Sequence, residues 1–263
     1  MFKLVLDPGH GGNDPGAVGN GLREKDLNLK IAKFCSDHIN QNFENVQVLM
    51  TRSTDKTLSL RERTNYANNQ KADYYCSIHI NAGGGNGFES YIYSGAFSSK
   101  PRTDALRNVL HNKIISRLNF RDRGKKQANF FVLRETSMPA VLTENLFIDN
   151  SSNANYLKSD SNLKAIGISH AEGLASAHGW KRKEATIYYR VVTGSFLIRK
   201  NALSQQALLK KAGFESFLST YKQSSKTYYR VISGSFRNKK NAEERVEQLK
   251  KKGFNSFITT FKQ

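Results

Sequence analysis

The sequence predicts an α/β protein in which a mixed, largely parallel sheet is flanked by helices, followed by a small α+β domain. Strand-like and helix-like segments alternate through the first 180 residues, which is typical of a layered domain of sheet and helices. Beyond residue 185, a strand, a helix and a strand occur twice at an offset of 40 residues. The length of 263 residues is sufficient for one substantial domain and one small one.

The elements of the first domain follow from the spacing of its apolar residues. Short β-branched and aromatic runs predict strands, whereas apolar residues three or four apart, such as Leu27 and Ile31, predict helices. Ser59 and Glu62 form a capping box at the start of the second helix. The predicted strands are 2–6, 46–51, 73–80, 87–94, 129–133 and 139–144. The predicted helices are 27–39, 59–69, 103–118 and 161–179.

The second domain is predicted from its internal duplication. YYRVVTGSF at 188–196 returns as YYRVISGSF at 228–236, and about half of all aligned positions are identical. One copy alone is too small to bury a core, so the two copies are expected to form one sheet with two helices on one face. The predicted boundaries are 1–180 for the first domain, 181–185 for a charged linker, and 186–223 and 226–263 for the two repeats.

Positive charge is concentrated in the second domain. The chain has a formal charge of +19, and the residues from 181 onward contribute 19 Lys and Arg against 5 Asp and Glu. Such a basic domain implies an anionic partner: nucleic acid, a membrane surface or an acidic polymer. No run of 18 apolar residues occurs, so membrane insertion is not expected. The apolar run 4–6 is too short for a signal peptide, so we expect synthesis in the cytoplasm without a leader.

The sequence contains neither of two common cofactor-binding motifs, and a disulfide framework is not expected. The glycines at 9, 11 and 12 do not match the fingerprint of a dinucleotide site, and there is no phosphate-binding Gly-Lys-Ser/Thr motif. Cys35 and Cys76 are far apart in the sequence and are expected to be small buried hydrophobic residues.

Four residues at the ends of predicted strands or at a helix start are candidates for chemistry. His10 and His79 each lie where a strand passes into glycines, Glu24 precedes a helix, and Glu144 ends a strand. Two histidines and a carboxylate are a common zinc-binding set, and a further carboxylate can take a proton from water. No short motif unites these residues, so by themselves they leave a structural role open. The other histidines are left out of the site: His38, His111, His170 and His178.

Five motifs in a fixed order extend this interpretation. They are DPGHGGNDPGA with Glu24, TR at 51–52, SLRER with AN, SIHINA, and PAVLTE. In this order, from residue 2 to about 179, they resemble the type 3 zinc-dependent N-acetylmuramoyl-L-alanine amidases. The resemblance implies that His10, Glu24 and His79 bind Zn²⁺ and that Glu144 is catalytic. It implies a peptidoglycan hydrolase that cleaves the amide between the muramic acid lactyl group and L-alanine with zinc-activated water.

Three features around this site have open interpretations. TENLFIDN replaces the VE.GF that is commoner in the family, which bears on specificity because Glu144 itself is kept. Asn81 and Arg52 are candidate substrate contacts, or equally a turn residue and a surface cation. The segment RDRGKK at 121–126 is expected to be a solvated basic loop beside the cleft.

The repeated YYRV..GSF and GF.SF segments resemble the SPOR domain, a peptidoglycan-binding module of ferredoxin-like architecture, over about 186–263. The resemblance implies a sheet face that binds denuded glycan strands, those without stem peptides. One tyrosine of each Tyr-Tyr pair must face the core, because side chains alternate along a strand. The candidate contacts are Tyr189, Arg190, Phe196, Tyr229, Arg230 and Phe236. The residues expected in the core are Phe214, Phe217, Phe254 and Phe257.

Three other functions are weighed against this one. A zinc peptidase could cut within the stem peptide, and a basic sheet with aromatic residues could bind single-stranded nucleic acid. The RNP1 signature is missing, so no nucleic acid partner is expected. A wall-binding protein with an inactive site is disfavoured because all four metal and acid positions are kept. Action on the wall is expected after lysis, by a phage endolysin or by an autolysin that frees a spore.

Overall fold

The protein divides into two compact units, one covering Met1–Lys183 and the other beginning at Glu184. The structure is a computed structural model, and it describes residues 1–262. No helix within these residues has both the length and the apolar character needed to cross a bilayer. Cys35 and Cys76 are free and buried, as predicted.

The first unit is built on a six-stranded sheet and a small hairpin. Its strands are β1 Phe2–Pro8, β2 Val18–Gly19, β3 Leu22–Arg23, β4 Val46–Met50, β5 Tyr74–Asn81, β6 Phe88–Tyr93, β7 Asp122–Ala128 and β8 Ala140–Phe147. The main sheet has the order β4-β1-β5-β8-β6-β7, and only the β8–β6 pair within it is antiparallel. The predicted mixed, largely parallel sheet is therefore confirmed.

Helices cover the two faces of this sheet unequally. They are α1 Glu24–Asn42, α2 Leu60–Asn69, α3 Lys100–Leu118, α4 Phe131–Arg134, α5 Ser151–Leu157 and α6 Asp160–His178. The long helices α1, α3 and α6 share a large core with Leu4 and Leu6 of β1. The short helices α2 and α4 share a smaller core with Val5, on the opposite face. The second face thus has room for a cleft at the ends of the strands.

Two predictions about local structure in the first unit were wrong. The segment 129–133, predicted as a strand, contains the single helical turn α4, which buries Val132 and Leu133 while Phe130 stays exposed. A short apolar run does not distinguish a strand from a helical turn. The segment 121–126, predicted as a solvated loop, contributes to β7, an edge strand whose charged residues are typical of sheet edges.

The charged segment predicted as a linker belongs in part to the first unit. The backbone of Lys183 donates to Asn42 O at 2.8 Å. The guanidinium of Arg182 pairs with Glu172 and lies over the ring of Phe43. These contacts fix residues up to 183, so the boundary lies three residues beyond the predicted end of the first domain at 180.

The second unit is an antiparallel sheet with two helices on one face. Its elements are β9 Ile187–Phe196, α7 Arg199–Lys211, β10 Phe217–Gln223, β11 Lys226–Phe236, α8 Lys239–Lys251 and β12 Phe257–Lys262. The strand order is β10-β11-β9-β12. Ala202 and Leu209 of α7, and Ala242 and Leu249 of α8, pack on the same side of the sheet. This is the sheet with two helices on one face that the duplication predicts, and it is the ferredoxin-like arrangement that the resemblance to the SPOR domain implies.

Candidate active site

Three predicted metal ligands converge on one point at the carboxyl ends of the parallel strands. His10 follows β1, Glu24 begins α1, and His79 lies near the end of β5. One ligand atom from each lies within 4.8 Å of the other two. Glu24 lies between the imidazoles: its Oε1 is 2.9 Å from His79 Nδ1 and its Oε2 is 3.2 Å from His10 Nε2. These residues could therefore hold a metal ion together.

The Glu24 carboxylate is held by more than the two imidazoles. The backbone of Ile80 donates to its Oε1 at 3.1 Å, and the backbone of Ala17 donates to its Oε2 at 2.9 Å. Asn28 donates to Oε1 from the next turn of α1. Burial acts to raise the pKa of Glu24, but its contacts with His10 hold that pKa far below the usual range. Glu24 is therefore ionised at neutral pH.

The ring of His10 is oriented by a second carboxylate. Its Nδ1 lies 2.7 Å from Asp14 Oδ2, which leaves Nε2 directed at the site. Metal-binding histidines commonly donate their other ring N–H to a carboxylate in this way. Burial acts to lower the pKa of His10, but Glu24 and Asp14 together raise it above its ordinary value.

Close packing around the ligands requires glycine at two positions. A Cβ at Gly9 would overlap the imidazole of His79. A Cβ at Gly16 would lie 2.6 Å from both Glu24 Oε2 and the His10 ring, and the φ of Gly16 is +65°. His10 itself has a φ of +61°, an unusual conformation for a residue with a side chain. The close approach of the ligands thus explains why glycine occupies positions 9 and 16 of this loop.

Two buried arginines hold the loop that carries His10. Arg52 donates to the carbonyls of Pro8 and Gly9, and Arg63 donates to the carbonyls of Pro8 and His10. Arg63 also forms a buried ion pair with Asp7 at 2.8 Å. Arg52 is only 3% exposed, so it is neither the predicted substrate contact nor a surface cation. Its guanidinium satisfies backbone carbonyls beneath the site.

Glu144 lies beside the metal-ligand cluster on the neighbouring strand. Its register partner on β5 is His79, and both line the same cavity of about 390 Å³. Glu144 Oε2 is buried and accepts no hydrogen bond from the described residues. Burial, together with the charges of Glu24 and Glu89, raises the pKa of Glu144 well above its ordinary value. The pKa of Glu144 is therefore displaced in the opposite direction from that of Glu24.

Asn81, a predicted substrate contact, is hydrogen-bonded to Glu89, a residue that the sequence analysis did not identify as part of the site. Asn81 Nδ2 donates to Glu89 Oε1 at 2.6 Å, and the Tyr91 hydroxyl donates to the same oxygen. Glu89 is opposite Glu144 in the antiparallel β6–β8 pair. Burial acts to raise the pKa of Glu89, but Lys126, Tyr91 and Arg123 lower it. No spacing pattern distinguishes this glutamate, because its partners come from three different strands.

One wall of the cavity is apolar. Leu58 and Leu60 lie at the start of α2, and Phe130 and Phe131 lie at α4. Phe130 is 38% exposed and packs on the ring of Tyr91. This wall was missed because 129–133 was predicted as a strand.

In the second unit, four predicted ligand contacts lie on the face covered by the helices. Their rings pack against the core that contains Val191 and Val231, so they stabilise the unit rather than face a ligand. The corrected residues are Tyr189, Phe196, Tyr229 and Phe236. Phe214 and Phe254 pack against the same core, as predicted.

The opposite face of that sheet carries arginines stacked on aromatic rings. The guanidinium of Arg190 lies 3.3 Å from the ring centre of Phe261, and that of Arg230 lies 3.4 Å from the ring centre of Tyr221. Phe217 and Phe257, predicted in the core, are 41% and 50% exposed there. Their register partners are Ile232 and Val192, each of which directly follows a core valine in its strand. Successive side chains point to opposite faces of a sheet, so these partners and the two phenylalanines lie on the side away from the core.

Comparisons with known proteins agree with these features. Residues 4–176 match the family model described as N-acetylmuramoyl-L-alanine amidase, and residues 171–260 match the model of the SPOR domain. The SPOR match begins within α6, ahead of the second compact unit.

Relatives along most of the chain have the same character. A sporulation-specific N-acetylmuramoyl-L-alanine amidase of Bacillus subtilis is 45% identical over 218 residues, 83% of this chain and 84% of that protein. The endolysin of Bacillus phage SPP1 is 48% identical over 188 residues, 70% of this chain and 69% of that protein.

A solved structure shares the fold of the first unit. The catalytic domain of CwlV, an N-acetylmuramoyl-L-alanine amidase from Bacillus (Paenibacillus) polymyxa, matches with a TM-score of 0.64 at 34% identity. It covers 69% of this chain and 100% of that domain. These matches support the amidase over the stem-peptide peptidase that the ligand set alone left open. The chain belongs to the type 3 N-acetylmuramoyl-L-alanine amidase family and is a peptidoglycan amidase with a C-terminal SPOR domain.

Proposed function

We propose that His10, Glu24 and His79 hold a zinc ion and that Glu144 transfers the proton during hydrolysis of the lactyl–L-alanine amide. The observation that supports this most strongly is the buried, unpartnered Oε2 of Glu144 beside three ligand atoms within 4.8 Å of one another. The other carboxylates of the site accept hydrogen bonds from neighbouring residues, whereas this oxygen is free to bind a substrate or water.

The donor set fits zinc. Two imidazoles and one carboxylate are a common set in zinc hydrolases, with further positions left for water and substrate. Asp14 holds His10 with Nε2 directed at the site, as such sites require. A divalent cation would also offset the crowding of Glu24 and Glu144, whose charges act on each other.

When bound, zinc supplies a Lewis acid that polarises a carbonyl and lowers the pKa of water. Glu144 and Glu24 then have separate roles in the reaction. Glu144 accepts a proton at Oε2 from the attacking water and delivers it to the nitrogen of the departing L-alanine. Glu24, fixed by backbone N–H groups and two imidazoles, keeps the ligands in place through both transfers.

Metal analysis with product analysis tests this proposal. We expect one zinc ion per purified chain, and loss of wall hydrolysis after chelation that returns when zinc is added. Mass spectrometry of digested peptidoglycan should show free N-terminal L-alanine on intact stem peptides. Full activity in a preparation free of metal, or cleavage within the stems, would contradict the proposal.

For the second unit, we propose that the helix-free face of the sheet binds glycan strands that lack stem peptides. The support is its duplicated surface, in which Arg190 and Arg230 lie on aromatic rings beside the exposed Phe217 and Phe257. Exposed rings can pack on sugar faces, and guanidinium groups offer several fixed donors to hydroxyl and acetamido oxygens.

A pelleting experiment separates this role from binding to nucleic acid. Residues 184–263 should sediment with amidase-treated wall more than with untreated wall, because removal of the stem peptides exposes the strands. The double substitution Arg190→Gln with Arg230→Gln should weaken sedimentation at least tenfold, whereas Arg199→Gln, on α7, removes a charge from the helix side and should not. Preferential binding of single-stranded nucleic acid would overturn the assignment.

We further propose that the enzyme reaches the wall when a cell lyses. The support is its similarity to a protein named as a sporulation-specific amidase and to one named as a phage endolysin. Detection of the protein in sporulating cells, or its expression only after phage induction, would decide between the two. Accumulation in the medium of intact growing cells would contradict both.

A further inference from the structure

A row of charged side chains extends from the candidate metal site across the same face of the sheet. His79 on β5 is the register partner of Glu144 on β8, and Glu144 is opposite Glu89 on β6. Glu89 in turn contacts Arg123 and Lys126 of the edge strand β7. Because neighbouring strands are about 4.8 Å apart, the two cations lie two strand spacings, about 10 Å, beyond Glu144.

A β-bulge places both cations on this face. Phe88 pairs with Asp122 and Ser90 pairs with Lys125, so two residues of β7, Arg123 and Gly124, are opposite the single residue Glu89. Gly124 has a φ of +93°, and its missing Cβ faces open space. In a regular strand, residues three apart such as Arg123 and Lys126 would point to opposite faces. Bulges are common next to active sites, where they redirect side chains.

Arg123 and Lys126 together carry one more positive charge than Glu89 neutralises. Arg123 Nε donates to Glu89 Oε2 at 3.0 Å, and Lys126 Nζ pairs with the same oxygen. Two positive charges therefore meet one carboxylate, whose other oxygen is occupied by Asn81 and Tyr91.

Their remaining donors are accessible. The side chains of Arg123 and Lys126 are 30% and 37% exposed. Within residues 1–262, no acceptor is recorded for the terminal Nη groups of Arg123. The guanidinium lies 4.7 Å from the ring centre of Phe147, which holds its plane in place.

We propose that Arg123 and Lys126 form a binding site for a carboxylate of the stem peptide, on a residue that follows the L-alanine. This rests on the proposed function, because the scissile amide must lie beside Glu144. An extended peptide advances about 3.3 Å per residue, so about 10 Å corresponds to roughly three residues. A planar guanidinium with a neighbouring ammonium group is well suited to hold a carboxylate through charge-assisted hydrogen bonds.

The test uses the full-length enzyme and two soluble muramoyl-peptides that differ only in whether their stem carboxylates are free or amidated. We expect KM for the free form to be at least tenfold lower, with kcat within threefold. Equal KM values for the two substrates would overturn the carboxylate site while leaving the amidase assignment intact. Failure to cleave either substrate at the lactyl–L-alanine amide would instead contradict the proposed function.

Matched variants locate the site. Arg123→Gln and Lys126→Gln should each remove most of the preference for the free carboxylate, and Arg123→Lys should retain part of it. Lys125→Gln is the control, because this exposed lysine pairs with Ser90 and faces away from the cleft. If Arg123→Gln instead lowered kcat equally on both substrates and shifted the pH profile, the pair would only neutralise Glu89, and the proposal would be wrong.

Discussion

Three carboxyl groups in and beside the candidate site, those of Glu24, Glu89 and Glu144, differ in their partners, and those partners separate their roles. Burial favours the protonated form of all three. Glu24 is nevertheless kept ionised by His10 and His79, and Glu89 has a lowered pKa because cations contact it. Glu144 has no such partner, and its pKa is raised. A carboxyl whose pKa is raised, beside two whose pKa values are lowered, is the arrangement expected of a general acid–base residue.

Glu144→Gln should therefore separate metal binding from catalysis. We expect the variant to keep its zinc, because Glu144 is outside the ligand set, and to lose about a thousandfold in kcat. Zinc content and single-turnover rates on a soluble muramoyl-peptide measure the two effects. Glu135→Gln, an exposed position at the end of α4, is the control and should retain both properties. A rate near that of the wild type would remove Glu144 from the mechanism.

Gly9→Ala should weaken zinc binding while leaving the fold intact. The added methyl group would overlap the His79 ring, so that His10 and His79 could no longer approach each other as ligands. We expect zinc affinity to fall at least tenfold, measured by competition with a chromophoric chelator. Gly179→Ala is the control: its φ is +64° and its surroundings are open, so it should cost about 1 kcal/mol of stability and no zinc. Equal zinc loss in both variants would contradict the steric explanation.

Single-residue roles were predictable only where a motif carried them. The convergence of His10, Glu24 and His79 was predicted from motifs in different parts of the chain. Arg52 was misjudged because its partners are backbone carbonyls, which a sequence does not reveal. Glu89 was missed for a related reason: its importance arises from strand register.

At the level of elements, the end of β1 is fixed by a buried polar cluster. Asp7 is 1% exposed and accepts hydrogen bonds from Thr51, Ser77 and Arg63. Arg63 lies on α2, so the same ion pair attaches that helix to the loop that carries His10. The cluster therefore couples the stability of β1 and α2 to the geometry of the site.

Asp7→Asn should destabilise the first unit by about 3 kcal/mol at neutral pH, because it leaves Arg63 buried without its carboxylate. Burial acts to raise the pKa of Asp7, but Arg63 lowers it below 3.8 overall. The contribution is thus present above pH 3.8 and is lost as the pH falls through the lower value of the folded state. Denaturant unfolding should show that the difference in the free energy of unfolding between wild type and variant becomes smaller in acid. Asp37→Asn, exposed on α1, should change stability by less than about 0.5 kcal/mol at any pH.

Prediction of elements failed where contacts with neighbouring elements decide the local structure. Strands and helices with long periodic patterns, such as β5 and α6, were found as predicted. The segments 121–126 and 129–133 were not, because the first gains its strand pairing from β6 and the second its helical turn from burial against α2. Neither partner can be read from the local pattern.

At the scale of the whole molecule, the two units have separate cores. The clusters that contain Leu4 and Val5 involve only the first unit, and the cluster that contains Val191 involves only the second. The duplication that predicted the second unit was sufficient to predict its sheet and helices. The boundary was not predictable to the residue, because Arg182 and Lys183 attach to the first unit through partners distant in sequence.

A chain that ends at Lys183 should therefore fold and remain active. We expect kcat/KM on soluble muramoyl-peptides within about twofold of the full chain, but a loss of at least tenfold on intact wall at low salt, where the basic unit assists binding. Raising the salt concentration should reduce the difference between the two proteins on wall, because screening weakens the attraction of residues 184–263, which carry a formal charge of +11. Loss of activity on the soluble substrate would show that catalysis requires residues beyond 183.

The two central strands of the second unit, β9 and β11, are paired with approximate twofold symmetry, and this symmetry bears on how the unit can bind a polymer. Arg230 is opposite Ser195, and Arg190 is opposite Ser235, so these two pairs are counterparts 40 residues apart in the two repeats. Antiparallel copies of this kind are related by a local dyad perpendicular to the sheet. A polysaccharide has a reducing and a non-reducing end, but a dyad-symmetric surface presents nearly the same groups whichever end comes first. Such a surface can engage a chain without regard to its polarity.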